Sequence, residues 1–159
     1  MHGETPLQII AAHQRHAPVN VELVARDLGL PIYYSTLDRN IKGKLIRRNQ
    51  GFAIVINSLD TRLRQRFTIA HEIAHYVLHR DLMNVEIVDH DSYQSMLSSD
   101  YESQANRLAV DILMPGELVR QEFAENPDPR ALAKHFWVSE KAMEIRLKGL
   151  HHNRVALAG

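Results

Sequence analysis

Cysteine is absent from the 159 residues, which excludes disulfide frameworks, thiolate zinc fingers, iron–sulfur clusters and any cysteine nucleophile. Charge of one sign is not in excess either. Nineteen Lys and Arg balance nineteen Asp and Glu, so no overall field draws the chain to nucleic acid or to an anionic membrane. Long hydrophobic runs are missing too: the longest is about five residues, far short of a membrane span or a signal-peptide core. With no such segment, the expected compartment is the cytoplasm. There is no internal repeat, low-complexity tract or long linker. What remains has the proportions of a soluble globular protein, 45% hydrophobic and 24% charged, and fits one ordinary domain or one domain with a small appendage. A chain of this size buries roughly two-thirds of its unfolded surface without covalent staples. Against these absences histidine stands out, with ten residues.

Residues 5–17 pattern as a helix ended by Pro18, and Asn20 and Gly29 bracket a second short helix, Val21 to Leu28. After Pro31, Ile32-Tyr33-Tyr34 reads as a strand. Lys44–Arg48 and Phe52–Asn57 flank Asn49-Gln50-Gly51 as the arms of a hairpin. The second arm is apolar on both faces, so one side should meet a core and the other should be at least partly covered. From Asp60 to His79 the apolar spacing becomes helical, with Phe67, Ala70, Ala74, Val77 and Leu78 three and four apart. Residues 81–98 show no clean period and read as a long loop of the kind that binds ligands or forms lids, with a short strand at Val85–Val88. A helix from about Ser99 to Met114 follows, then another from Pro115. Asn126-Pro127-Asp128-Pro129 is the clearest boundary, and two short helices, about 130–136 and 140–150, lie beyond it.

The sharpest feature is His71-Glu72-Ile73-Ala74-His75 inside the predicted helix. Four residues advance a helix by about 400°, so the two imidazoles stand within about 40° of each other, one turn apart. Both can then hold a single Zn²⁺, with Glu72 beside them to move protons to and from water and a leaving amine. The string is expected by chance about 0.04 times in a chain of this composition. The competing reading is a helix with two surface or core histidines. A zinc site of this kind needs a third protein ligand and an open position. Glu102, Ala105, Asn106 and Ala109 share a face of the next helix. The two alanines admit a close neighbour, and a carboxylate on so small a face needs a cation. The rival acids Asp100 and Asp111 fall about 160–180° away on the wheel. Glu102 is therefore the candidate ligand, its alternative being an acid favoured by the helix dipole. Two histidines and one carboxylate suit zinc over Mn²⁺ or Fe²⁺.

Four further residues are secondary candidates. His79 lies about 6 Å along the helix from His75, beyond reach of the same ion, and is read as supporting a ligand from behind or as a cation near the helix C-terminus. Tyr101 and His90 are placed to steady a developing oxyanion, and Asn106 to orient a ligand carboxylate. Packing or surface roles compete in each case. Arg64 and Arg66 are expected to do structural pairing.

At this point the residues resemble the ImmA/IrrE family of zinc metallopeptidase-like proteins of bacteria and their mobile elements. The carriers are Arg64-Gln65-Arg66-Phe67-Thr68-Ile69-Ala70 leading into His71-Glu72-Ile73-Ala74-His75, then Leu78-His79. They continue with Glu102, Ala105, Asn106 and Ala109, and close on Leu113-Met114-Pro115. The likeness extends over roughly residues 20–150. It implies an α+β fold: a mostly helical zincin-like domain with a small antiparallel three-stranded sheet beside the HExxH helix, plus a short helix-turn-helix-like C-terminal helical pair. The expected division is 1–127 for the metallopeptidase domain and 128–159 for the C-terminal segment packed on it. The resemblance also implies His71, His75 and Glu102 as zinc ligands, Glu72 as catalytic acid and base, and a protein substrate or partner. That partner would be a helix-turn-helix (XRE-type) repressor or an antitoxin, in a stress-response, mobile-element or toxin–antitoxin setting. Two departures stand out. The chain ends at Gly159, so the extra sensory domain of longer relatives is not expected. Gln104 stands where many relatives carry a second acid, and it is not expected to touch the metal.

Residues 130–154 supply the competing classes. Six Lys and Arg there face only Glu140 and Glu144, and the apolar spacing of Leu132, Ala133, Phe136, Val138, Met143 and Leu147 resembles a helix-turn-helix. A DNA-binding regulator is thus one alternative, weakened by Trp137 in the turn where Gly is usual and by the neutral chain. A non-catalytic toxin or interaction module using the same cleft is the other.

Overall fold

The computed structural model describes residues 3–83, 86–90 and 99–158, with 86–90 and 152–158 described as backbone. The first two helices form where their caps predict. Thr5 and Gln8 make a reciprocal capping box ahead of α1 (Pro6–Ala12), with Pro6 in its first turn. Asn20 accepts from the Leu23 amide to start α2 (Val21–Asp27). Helix α1 ends at Ala12 rather than continuing to residue 17.

Strands β1 (Ile32–Ser35), β2 (Ile41–Arg48), β3 (Gly51–Asn57) and β4 (Glu86–His90) form a four-stranded sheet in the order β1-β3-β2-β4. The α+β class holds, but the expected three-stranded antiparallel sheet is corrected in two respects. A fourth strand pairs antiparallel with β2, close to the short strand expected near 85–88. The β1–β3 pair is parallel, because the chain leaves β1, passes one strand position, runs down β2 and returns up β3 in the gap. Asn57, at the end of β3, holds that arrangement. Its amide donates to the carbonyls of Leu37, Asp38 and Ile41 at 3.3, 3.2 and 2.9 Å, and its Oδ1 accepts from the amides of Leu37 and Leu59. The hairpin between β2 and β3 pairs Arg48 with Gly51 around Asn49-Gln50, and Gly51 takes the positive φ of 111° that L side chains avoid.

Helix α3 (Arg62–His79), capped by Thr61, packs against β2 and β3. It crosses the sheet at Gly43, where a Cβ would stand 2.7 Å from Thr68 Cγ2 and 2.9 Å from the Val55 carbonyl oxygen. A 3-10 turn, Arg80–Leu82, follows it. Then come α4 (Ser99–Leu113), α5 (Gly116–Glu125), α6 (Pro129–Phe136) and α7 (Glu140–Ala158). The buried apolar residues form a continuous cluster, from Ile10 and Val24 through Ile54, Ile69 and Ile73 to Ile112, Phe136 and Met143. Each fully buried Leu, Ile or Phe in it contributes roughly 1.5–3 kcal/mol. Helix α3 is central to it, and that rigidity is what the site needs. Among the described residues, no helix is long and apolar enough to cross a membrane.

Candidate metal centre

Four small residues let α3 and α4 approach closely: Ala70 and Ala74 on the first, Ala105 and Ala109 on the second, all fully buried. In the seam between the helices lie His71 and His75, exposed to 2% and 0%, with their rings edge to face and centroids 4.6 Å apart. Glu102 comes down from the first turn of α4 and spans them. Its Oε2 is 3.1 Å from His71 Nε2, and its Oε1 is 3.1 Å from His75 Nε2. Donor atoms of the three residues all lie within 4.8 Å of one another, and no other such His, Asp or Glu group occurs among the described residues.

Whether these residues fit a metal can be tested on their own geometry and charge. Two donors at 2.0–2.1 Å from a tetrahedral ion stand about 3.3 Å apart, close to both observed separations. His75 Nε2 and Glu102 Oε1 are buried and form no hydrogen bond, although they face each other at 3.1 Å. Burial pulls the His75 imidazole below its usual pKa, outweighing the Glu102 carboxylate beside it, which acts in the other direction. Burial pushes the Glu102 carboxyl upward, but the hydrogen bond with His71 and the nearness of the His75 imidazole outweigh it and hold the group well below the carboxylate range. A neutral imidazole and an ionised carboxylate are the ligand forms a divalent cation requires. The fit is good.

Glu72 is fully buried on α3 between the two histidines in sequence and is not one of the three clustered donors. Of the four secondary candidates, His79 is brought in: its Nδ1 lies 2.9 Å from His75 Nδ1, and its Nε2 lies 2.9 Å from Gln104 Oε1. Its place against the His75 ring, rather than free at the helix end, follows from the i, i+4 spacing that stacks neighbouring turns. Tyr101 is half-buried with its ring against His79 at 4.9 Å. Asn106 is exposed on α4, about 40° round the helix from Glu102, at the rim of the buried face. His90 falls in β4, and its side chain lies outside the described residues.

Two residues carry more than sequence reasoning gave them. Gln104, set aside as not touching the metal, reaches His79 instead; its only sequence signal is its place two residues after Glu102. Arg66 was expected to do structural pairing, with no partner named. It is buried and donates to three backbone carbonyls, those of Val19, Phe136 and Trp137, bolting the metal helix to the turn between α6 and α7.

Comparison with curated proteins gives no match. The family model for Peptidase_M78, described as the IrrE N-terminal-like domain, matches residues 25–148. That span holds the HExxH helix, Glu102 and most of the α6–α7 pair, and the chain belongs to this peptidase family.

Proposed function

We propose that the chain is a zinc-dependent endopeptidase that hydrolyses a peptide bond in a protein substrate. One observation carries the reading: two imidazoles and a carboxylate converge in a buried seam, with a fully buried Glu72 on the same helix. His71, His75 and Glu102 would hold the ion. When bound, zinc supplies Lewis acidity toward water and the scissile carbonyl. Glu72 takes the proton of the attacking water and returns it to the leaving amine. The dry walls of α3 and α4 strengthen the electrostatics of both transfers.

The Phe52–Asn57 arm, the strand first expected to receive an extended substrate, is β3, and it is interior, bonded to β1 on one side and β2 on the other. Among the described residues, the edges of the sheet are β1 and β4. We place the substrate along β4, because its neighbour β2 is the strand crossed by α3 at Thr68, one turn before Glu72. Such an edge recognises extended main chain. Family membership supports a helix-turn-helix repressor or antitoxin as the substrate, cut in a stress-response or mobile-element setting. A DNA-reading role for α6–α7 is disfavoured by Glu140 and Glu144, both exposed in the first turns of α7, where phosphates would lie.

Elemental analysis tests the centre. About one zinc per chain is expected in the wild type and little in Glu102→Ala, whereas Glu72→Gln should keep the metal and lose cleavage. Zinc-free wild type after incubation with Zn²⁺, or full cleavage by Glu72→Gln, would overturn the reading. Glu72→Gln used as bait should retain a helix-turn-helix repressor, and capture of no such protein by a metal-loaded bait argues against that substrate class.

A further inference from the structure

Beyond the three clustered donors, a chain of contacts runs away from the metal seam: Glu102, His75, His79, Gln104. Each link is short. His75 and His79 meet Nδ1 to Nδ1 at 2.9 Å, and His79 Nε2 meets the Gln104 side-chain oxygen at 2.9 Å. Every one of these atoms has a fixed or restricted capacity. An amide oxygen only accepts, so His79 must carry its proton on Nε2. A neutral imidazole has one proton, so His79 Nδ1 is then bare and must accept. The donor to it is His75 Nδ1, which leaves His75 Nε2 without a proton. That bare nitrogen faces Glu102 Oε1 at 3.1 Å, and the pair lacks hydrogen-bond geometry, as two facing acceptors should.

We infer that Gln104, acting through His79, fixes His75 in its Nδ1–H tautomer and so presents a lone pair on Nε2 to the metal before the metal arrives. The inference rests on the reading of His75 as a ligand. It adds two positioning residues, neither of which touches the ion. His79 is 2% exposed, so water does not readily substitute for its partners. Tyr101 packs edge-on against its ring at 4.9 Å and limits its rotation. Gln104 is an exposed residue of α4, so replacing it leaves the apolar seam intact.

The opposite order of protons is the alternative that matters. With the Gln104 amide reversed, His79 would carry its proton on Nδ1, and His75 would carry one on Nε2, pointing at Glu102. Zinc could then bind only after that proton moved.

Long-range ¹H–¹⁵N correlation spectra of ¹⁵N-histidine protein distinguish the two. In both metal-free and zinc-loaded wild type, His75 should be protonated on Nδ1 and His79 on Nε2, with no relocation on loading. A metal-free His75 protonated on Nε2 overturns the inference. Zinc affinity, measured by competition with a chromophoric chelator, is the second readout. Gln104→Leu should weaken it about 10- to 100-fold, measured below the melting temperature of the metal-free variant, which the unpaired His79 N–H lowers. Gln104→Glu, which restores an acceptor, should bind nearly as wild type does. Equal affinity in Gln104→Leu and wild type would overturn the relay. Failure of the wild type to bind zinc would instead overturn the metal-centre reading, and the metal-free spectrum would still decide the tautomers.

Discussion

Replacing Arg66 by Met tests whether the metal helix is held by a buried cation rather than by apolar packing alone. The guanidinium is 1% exposed. It donates to Trp137 O at 3.1 Å, Val19 O at 2.9 Å and Phe136 O at 3.3 Å, and lies 4.9 Å from the centre of the Trp137 ring. No carboxylate contacts it among the described residues. Two of the three acceptors lie at the C-terminal end of α6, where carbonyls have no partner within the helix and the dipole is negative. Hydrogen bonds to a charged donor contribute about 1.5–3 kcal/mol each. Against them stands a desolvation cost of several kcal/mol for the buried cation, which Met does not incur. Met leaves no charge behind and refills much of the volume, but the three carbonyls lose their donor, at about 1–3 kcal/mol for each that water does not reach. The expected loss is about 3 kcal/mol, or a fall of about 6–12 °C in melting temperature for a domain of this size. Urea melts of metal-free wild type and Arg66→Met, with equal slopes, measure it. Arg66→Lys should recover only part, since one ammonium cannot reach three separated carbonyls. A loss under about 1 kcal/mol would refute the reasoning, because desolvation would then cancel the three bonds.

Gly43→Ala forces a Cβ to within 2.7 Å of Thr68 Cγ2 and 2.9 Å of a backbone oxygen, and should cost about 1–3 kcal/mol by overpacking. Adding Thr68→Ser, which removes the methyl and keeps the hydroxyl bonded to Arg64 O, should return part of the loss in the same melts; no recovery would place the clash elsewhere. Trp137 sits in the left-handed region at φ 56°, so Trp137→Gly and Trp137→Ala should differ, Gly being the more stable by about 1 kcal/mol, as read by calorimetry. Acid should destabilise the metal-free protein. The folded pKa of His75 lies below 6.5 and that of Glu102 below 4.5. Both groups therefore contribute stability above those values that is lost as pH falls through them. Melting temperature in a chelator should decline from about pH 6.5 downward, and a level profile to pH 4 would contradict the protonation states assigned here.

What could be read from the sequence divides by distance along the chain. His71, Glu72 and His75 are legible because helical period alone puts them on one side, and nothing remote can alter that. Glu102 is 31 residues from His71, yet it too is legible, because Ala105 and Ala109 mark the face that meets another helix. Asn106 shows the precision of that argument: about 40° of helix rotation from Glu102 separates the face that meets α3 from solvent. The sheet order was not legible, since it depends on Asn57 reaching back 16 to 20 residues to the β1–β2 connection, and a strand that is apolar on both faces does not say which neighbours it has. Arg66 was hidden for a related reason, as backbone carbonyls 47 to 71 residues away leave no mark on composition. Gln104 is the hardest case, an exposed amide on a polar helix turn. Its meaning comes only through His79, because an acceptor two contacts from the ion can decide which nitrogen of His75 is free to bind it. Polar residues of that kind acquire a role from the hydrogen-bond order of a network, and that order exists only once the helices have packed.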